Sequence, residues 1–173
     1  MIERKRIFIK EFIKKPREIG SIIPSSCHLA QKIADTVKSL PRVDLLQIGG
    51  GTGIVTQFLP KENLTVIEIN ASLASQLSKQ FSETTIINDC GVKFLSQKDS
   101  EFGCIITIPL INNPTAPNLI STLKSLREKN ILKWCVIFSY GITSPLGKVG
   151  FEISMKSNII WKNLPPARVW TYY

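Results

Sequence analysis

Residues 43–48, VDLLQI, and 64–70, LTVIEIN, form short apolar runs of buried-strand length, and between them the pattern breaks at Gly49, Gly50, Gly51 and Gly53. Apolar positions at helical spacing follow over 54–59, 71–81 and 117–129, alternating with strand-like runs over 84–88, 102–110 and 131–140. Ahead of them, a loop at 20–26, GSIIPSS, leads into a helix over 27–40, with Ser25 or Ser26 placed to cap it. A short helix through Phe94 and Leu95 is expected after Asp89, with Asp89 as its N-cap. From Lys148 onwards the character changes: 149–156 and 168–172 read as two strands joined through NLPP with no helix between them, an antiparallel hairpin at one sheet edge. Strands alternating with helices, closed by a hairpin, predict an α/β protein: a three-layer αβα sandwich on a mostly parallel seven-stranded sheet.

The first fifteen residues, MIERKRIFIKEFIKK, add a different element. Ile2, Ile9, Phe12 and Ile13, with Phe8 beside them, fall near one face of a helix, while Arg4, Lys5, Arg6, Lys10, Lys14 and Lys15 outnumber Glu3 and Glu11. Pro16 and Gly20 end the pattern, so residues 1–19 are expected to form a basic amphipathic helix and 20–173 the α/β domain. Such a helix suits either an anionic membrane interface or a packing face on its own domain.

Composition narrows the classes. With 173 residues, 43% hydrophobic and 20% charged, the chain has enough apolar surface for one sizeable core, which excludes wholesale disorder. A formal net charge of +9 favours an acidic partner, nucleic acid or an anionic membrane surface. No apolar run reaches the length of a membrane span, and the N-terminus lacks an uninterrupted apolar stretch of the secretory kind. Cys27, Cys90, Cys104 and Cys135 are scattered without a C-x-x-C pair, which suggests reduced thiols, a cytosolic setting and no metal site.

The glycines carry the candidate chemistry. They remove side chains where a buried strand turns over, so a ligand can lie against bare backbone. The spacing Gly49, Gly51, Gly53 fails the dinucleotide fingerprint, whose third glycine would fall at Ile54, and this disfavours nicotinamide or flavin dinucleotides. Glu68, at the end of the next strand, is placed to accept hydrogen bonds from both hydroxyls of an adenosine ribose. His28, in the first turn of the 27–40 helix, is the chain's one histidine and lacks a paired acid in the sequence.

LLQIGGGTG together with IEIN resembles motifs one and two of the class I S-adenosylmethionine-dependent methyltransferases. GSIIPSS, TIPLINNP, SYGITSPL and NLPPARVWTY further resemble the bacterial phospholipid N-methyltransferases that act on phosphatidylethanolamine, so the likeness covers nearly the whole chain. The resemblance implies a Rossmann-like fold and S-adenosylmethionine as cofactor, held by Gln47, Gly49, Gly50, Gly51, Gly53, Glu68, Ile69, Asp89, Thr107 and Ile108. Asp89 would bond the adenine amino group. The implied acceptor is a phospholipid amine, with Ser25, Ser26, Pro109 and Leu110 as candidates at the substrate; by their chemistry Arg168 is a candidate for the lipid phosphate, or a salt-bridged surface arginine, and Tyr140, or less so His28, for the amine proton, Tyr140 being otherwise a strand-end core residue. The implied place is the inner face of the cell membrane, peripherally attached from the cytoplasm. One position departs: the family usually has an acid at 47, and Gln47 supplies an amide oxygen without charge.

Two rivals stand beside this reading. Adenine N-methyltransferases acting on RNA or DNA share the glycine loop and suit the positive charge. They typically carry Asn-x-Pro-aromatic at the fourth strand end, the ring stacking on the target base, where this chain has Thr107, Ile108, Pro109 and Leu110. The other rival is a basic lipid-binding module that has lost catalysis, for which Gln47 is the motive.

Overall fold

The computed structural model describes residues 23–110, 113–140, 144–146, 156–161 and 166–173. The amphipathic helix expected over 1–15 and most of both the 149–156 strand and the NLPP connection lie outside these residues.

Helix α1 (Ile23–Lys38) leads into β1 (Asp44–Ile48), the glycine loop and a single 3-10 turn at Thr56–Phe58. Then come β2 (Leu64–Ile67), α2 (Ala71–Gln80), β3 (Thr85–Ile87), α3 (Gly91–Ser96), β4 (Phe102–Ile106), α4 (Ala116–Glu128), β5 (Leu132–Ser139), β6 (Lys156–Ile160) and β7 (Ala167–Tyr172). The seven strands form one sheet in the order β3-β2-β1-β4-β5-β7-β6. β1 to β5 pair in parallel, and β7 inserts antiparallel between β5 and β6. The expected mostly parallel seven-stranded sheet with a closing hairpin is the observed one. β6 begins at Lys156, the last residue of the expected 149–156 strand.

The layers follow from side-chain alternation. On one face Leu29, Ile33 and Val37 of α1 and Leu77 of α2 pack on Leu45, Val66, Ile105, Trp134 and Val136. On the other, Leu95 of α3 and Leu119, Leu123 and Leu126 of α4 cover Leu46, Ile48, Ile106, Cys135 and Ile137. Each buried leucine of this kind stabilises the fold by about 1.5–3 kcal/mol. Helix ends are set locally. The Asn70 side chain accepts from the Leu73 N–H at 3.1 Å and starts α2. Asn130, at φ 57°, closes α4 with Ile131 N–H reaching Leu126 O at 2.9 Å and Asn130 N–H reaching Arg127 O at 2.9 Å.

Three local expectations are corrected. The 54–59 helix is only the Thr56–Phe58 turn, because Pro60 and three successive β-branched residues after Gly53 leave too little chain for an α-helix to nucleate. Ser25 and Ser26 are helical residues, not caps: α1 already starts at Ile23, and Pro24 is tolerated in a first turn whose N–H groups have no intrahelical partner. The N-cap of α3 is Cys90, with Asp89 one residue before it.

Candidate functional site

Parallel strands β1, β2, β3 and β4 end side by side, and ligands of open α/β sheets bind outside such carboxyl ends. A cleft of about 250 Å³ lies there, lined by Ile48, Gly49, Ile67, Glu68, Ile69, Asp89, Cys90, Gly91, Val92, Ile108, Asn113, Thr115 and Leu119. Two hollows of about 360 Å³ lie at the opposite, amino ends, around Asp44, Leu45 and Asn63, where this topology does not place a ligand.

Glu68 leaves β2 only 6% exposed. Its Oε2 accepts from the Gly51 N–H at 2.8 Å and its Oε1 from the Asn70 N–H at 2.9 Å, so the carboxylate ties the glycine loop to the start of α2. Each oxygen keeps acceptor capacity beyond the bond it makes. Asn88, which sequence reasoning missed, donates from Nδ2 to Glu68 O at 2.8 Å and Ile69 O at 3.0 Å and holds this strand end against β3. Ile69, beside the cleft, is 72% exposed, an apolar surface against which a flat ring can lie.

Asp89 stands at the β3 exit on the cleft wall. Its Oδ1 accepts from the Cys90 N–H at 2.8 Å, and Lys93 Nζ lies 3.2 Å from its Oδ2. The Cys90 N–H bond and then the Lys93 ammonium hold the carboxyl below its ordinary range.

The four loop glycines have different duties. A Cβ on Gly49 would fall 2.3 Å from Ile108 Cγ2, on Gly50 2.5 Å from Leu77 Cδ1, and on Gly53 2.7 Å from Phe81 Cε2. At these three the missing side chain makes room for the protein itself. A Cβ on Gly51, at φ +56°, would meet no atom within 4 Å. The loop therefore leaves bare backbone facing open space at Gly51. Behind it Lys61, missed in the sequence, bonds Thr56 O through Nζ and lies 4.6 Å over the Phe81 ring, its pKa lowered by burial.

Gln47 is fully buried. Its Oε1 accepts from Thr56 Oγ1 at 2.8 Å, and its Nε2 donates to Thr107 Oγ1 at 3.1 Å and towards Gly49 O at 3.4 Å. Its amide oxygen takes the Thr56 hydroxyl, and the residue as a whole is enclosed by the protein. Thr107 is likewise turned inward, its hydroxyl bonded to Gly49 O. Thr107 and Gln47 thus tie the β4 exit to the glycine loop.

The remaining candidates separate. Ile108 lines the cleft. Pro109 is exposed, while Leu110 packs on the core around α4. Tyr140, just past β5, packs edge-to-face on Phe138 at 5.7 Å, on the α1 side of the sheet. His28 is exposed on α1, in its second turn and not its first. Neither is among the described residues that line the cleft. Arg168, the second residue of β7, pairs with Ser139, hence at the carboxyl end of β5, with its guanidinium 5.2 Å from the Trp170 ring. Side chains of Ser25 and Ser26 lie outside the described residues. Among the described residues no group of three or more His, Cys, Asp or Glu is arranged to hold a metal.

Comparisons with known proteins bear on the fold first. No family model matches the sequence. Ribosomal RNA small subunit methyltransferase A of Bacteroides fragilis is 30% identical over 92 residues, 51% of this chain and 34% of that protein. The chain spans a quarter to a half of the length of the curated relatives it matches. Among solved structures, N-methyltransferase NodS from Bradyrhizobium japonicum, in complex with S-adenosyl-l-homocysteine, superposes with TM-score 0.62 at 10% identity over 84% of each chain. The 23S rRNA methyltransferase ErmE gives 0.58 at 16% identity, over 83% of this chain and 66% of that one. Together with the strand order, these likenesses show the class I methyltransferase fold.

Proposed function

We propose that this chain is an S-adenosylmethionine-dependent N-methyltransferase. The observation that carries the reading is the buried Glu68 carboxylate, which lines the cleft and accepts from the N–H of Gly51, a glycine whose Cβ position is open. A ribose diol would fit two carboxylate oxygens that already accept one bond each, Ile69 would offer a face to adenine, and Asp89 would accept from its amino group. When bound, the cofactor supplies a methyl group on a sulfonium. The protein's part is to hold the nucleoside, align the acceptor nitrogen with that methyl and keep the site dry, because in-line transfer between bound partners gains chiefly from positioning. Glu68 and Asp89 are the carboxylates lining the cleft among the described residues, and both bind backbone N–H groups. The acceptor amine is therefore proposed to lose its proton to water before it enters, so that its lone pair is free to meet the methyl group.

For the acceptor, the strand-end residues favour the amine of phosphatidylethanolamine at a membrane surface. Leu110 has no π face to stack on a base and is committed to the core, Arg168 stands at the carboxyl edge where a phosphate can be met, and four motifs resemble phospholipid N-methyltransferases. A second reading, an adenine of ribosomal RNA, is favoured by the names of the sequence relatives, which are ribosomal RNA methyltransferases. Incubation with methyl-labelled S-adenosylmethionine, phosphatidylethanolamine liposomes and, in a parallel tube, ribosomal RNA separates the two. Label in lipid is expected; label in RNA with unlabelled lipid would replace the first reading by the second.

The membrane contact is proposed to lie in the basic segment 1–15. Replacing Arg4, Lys5, Arg6 and Lys10 by Ser should release the protein from phosphatidylglycerol-rich vesicles, since each cation near anionic lipid is worth about 1 kcal/mol. Undiminished co-sedimentation of that variant would move the contact elsewhere.

A further inference from the structure

Among the described residues the exposed large apolar side chains are Ile69, Ile159 and Trp161, at 72%, 41% and 76% exposure. All three stand at one rim of the sheet. Ile69 follows the carboxyl end of β2. β5 and β6 both run antiparallel to β7 and hence parallel to each other. Ile159, whose partner Arg168 pairs in turn with Ser139, and Trp161, one residue past the strand, therefore lie at the carboxyl end beside β5. Paired residues, and residues two apart on one strand, share a face of the sheet, so Ile159, Arg168 and Trp170 point the same way. Trp170 belongs to the core cluster that holds Ile48, Ile67 and Leu119 of the cleft wall. Ile159 is thus on the cleft's face of the sheet as well as at its end.

A single exposed apolar residue is ordinary, but Ile69 beside the cleft and the Ile159–Trp161 pair on the same rim are not scattered. β6 is four strand positions from β1, roughly 19 Å at about 4.8 Å per position. A nucleoside-sized ligand in the cleft does not reach that far, whereas a flat surface laid on the rim meets cleft mouth and β6 together. The net charge of +9 complements an anionic surface. We propose that Ile159 and Trp161 are a second membrane contact, an anchor in the headgroup layer of an anionic bilayer that turns the carboxyl rim, and with it the cleft, towards the lipid. This rests on the lipid reading above: the basic segment 1–15 supplies the attraction, and the rim supplies the orientation. An indole, apolar with one N–H, fits the headgroup layer. Ile159 has no π face to offer a base, which favours lipid over nucleic acid as the occupant. With this rim against the bilayer, a phospholipid amine meets the cleft while its acyl chains stay in the membrane.

Tryptophan emission of the full chain reads this contact directly. Of the three tryptophans, Trp134 and Trp170 are 1% and 3% exposed, so the solvent-sensitive emission comes from Trp161. Vesicles of phosphatidylglycerol and phosphatidylethanolamine should shift that emission to the blue, protect it from acrylamide and make it quenchable by lipids brominated on their acyl chains, and Trp161→Phe should lose all three effects. Trp161→Ser, at an exposed position, should keep its far-ultraviolet circular dichroism and partition to the vesicles about tenfold more weakly. Co-sedimentation with unchanged Trp161 emission, or unchanged partitioning of Trp161→Ser, would overturn the anchor and leave the lipid reading intact. No vesicle binding, with methyl label still entering phosphatidylethanolamine in detergent micelles, would do the same; neither binding nor label would overturn both. A blue shift produced by ribosomal RNA with vesicles inert, or by protein concentration alone, would assign the rim to nucleic acid or to a second copy of the chain and overturn the proposal.

Discussion

Two alanine substitutions two residues apart should separate the glycine loop's ligand-facing position from its packing position. Gly51 and Gly53 both have positive φ, +56° and +85°. A side chain in that region costs roughly 1–2 kcal/mol in either place, and the alanine's restriction of the unfolded chain returns about 0.4–1 kcal/mol. At Gly51 nothing further is added, because the new Cβ would meet no atom within 4 Å. The expected net loss is about 1 kcal/mol, or about 2–4 °C in Tm for a chain of this size. At Gly53 the Cβ would sit 2.7 Å from Phe81 Cε2 and 3.1 Å from Leu77 Cδ2. Phe81 also carries Lys61 over its ring, so overpacking adds roughly 1–3 kcal/mol and the fall in Tm reaches roughly 4–16 °C. Binding should rank in the opposite order. Gly51→Ala puts a methyl group into the volume the ligand needs and should weaken S-adenosylhomocysteine at least tenfold, whereas Gly53→Ala should bind near normally below its melting point. Thermal melts by circular dichroism and calorimetry on the same preparations read both. Equal Tm losses, or normal binding by Gly51→Ala, would refute the division of labour within the loop.

Glu68→Gln should lower stability by about 1–3 kcal/mol in urea melts and abolish measurable S-adenosylhomocysteine binding, since an amide NH₂ would face the Gly51 or Asn70 N–H; a variant as stable as its parent would contradict the bonds assigned to both oxygens. Asp89, held below the ordinary 3.8, contributes stability that is present above that value and lost as pH falls through its lower folded pKa. The gap in urea midpoint between the protein and Asp89→Asn should accordingly shrink between pH 5 and pH 2.5, and a constant gap would argue against the Cys90 and Lys93 contacts. Tyr172, bonded to Ser144 at 2.7 Å, has its phenol pushed up to about 12 by burial. Its folded value lies above the unfolded 10.0, so this contribution is complete below pH 10 and lost as pH rises towards 12. An ultraviolet titration should show a late phenolate step that Tyr172→Phe removes; three phenols ionising together near 10 would contradict its burial.

Much of the frame was readable because its signals are local. Strand-length apolar runs gave β1 to β5 within a few residues, and the glycines marked the strand-to-helix switch. Asn70, Glu68 and Asp89 could be placed at carboxyl ends from strand length alone. Partners brought together from distant segments were hidden. Nothing in the sequence says that Gln47 meets Thr107, sixty positions on, or that Phe81 fills the space under Gly53, because those contacts exist only once α2 and β4 are docked. The 3-10 turn after the loop was misread for the opposite reason: apolar periodicity over six residues is too short to outweigh β-branching and Pro60. Tyr140 was placed correctly at a strand end, but the side of the sheet it faces depends on its register in β5.

The insertion of β7 between β5 and β6 sets an order of events during synthesis. When residues up to Ile160 have left the ribosome, the outer edge of β5 still has no neighbour, because the segment that covers it, Ala167–Tyr172, is made after the strand that ends up beyond it. Until then a nascent chain presents Leu132–Ser139, largely apolar, as an open template for pairing with another chain. β6 in turn has nothing to pair with until β7 arrives, so the last two strands must dock together, as a preformed hairpin or in one step. A chain halted between residues 140 and 166 would carry an intact glycine loop and nucleoside cleft on a sheet that cannot close, and its fate is a chaperone or an aggregate.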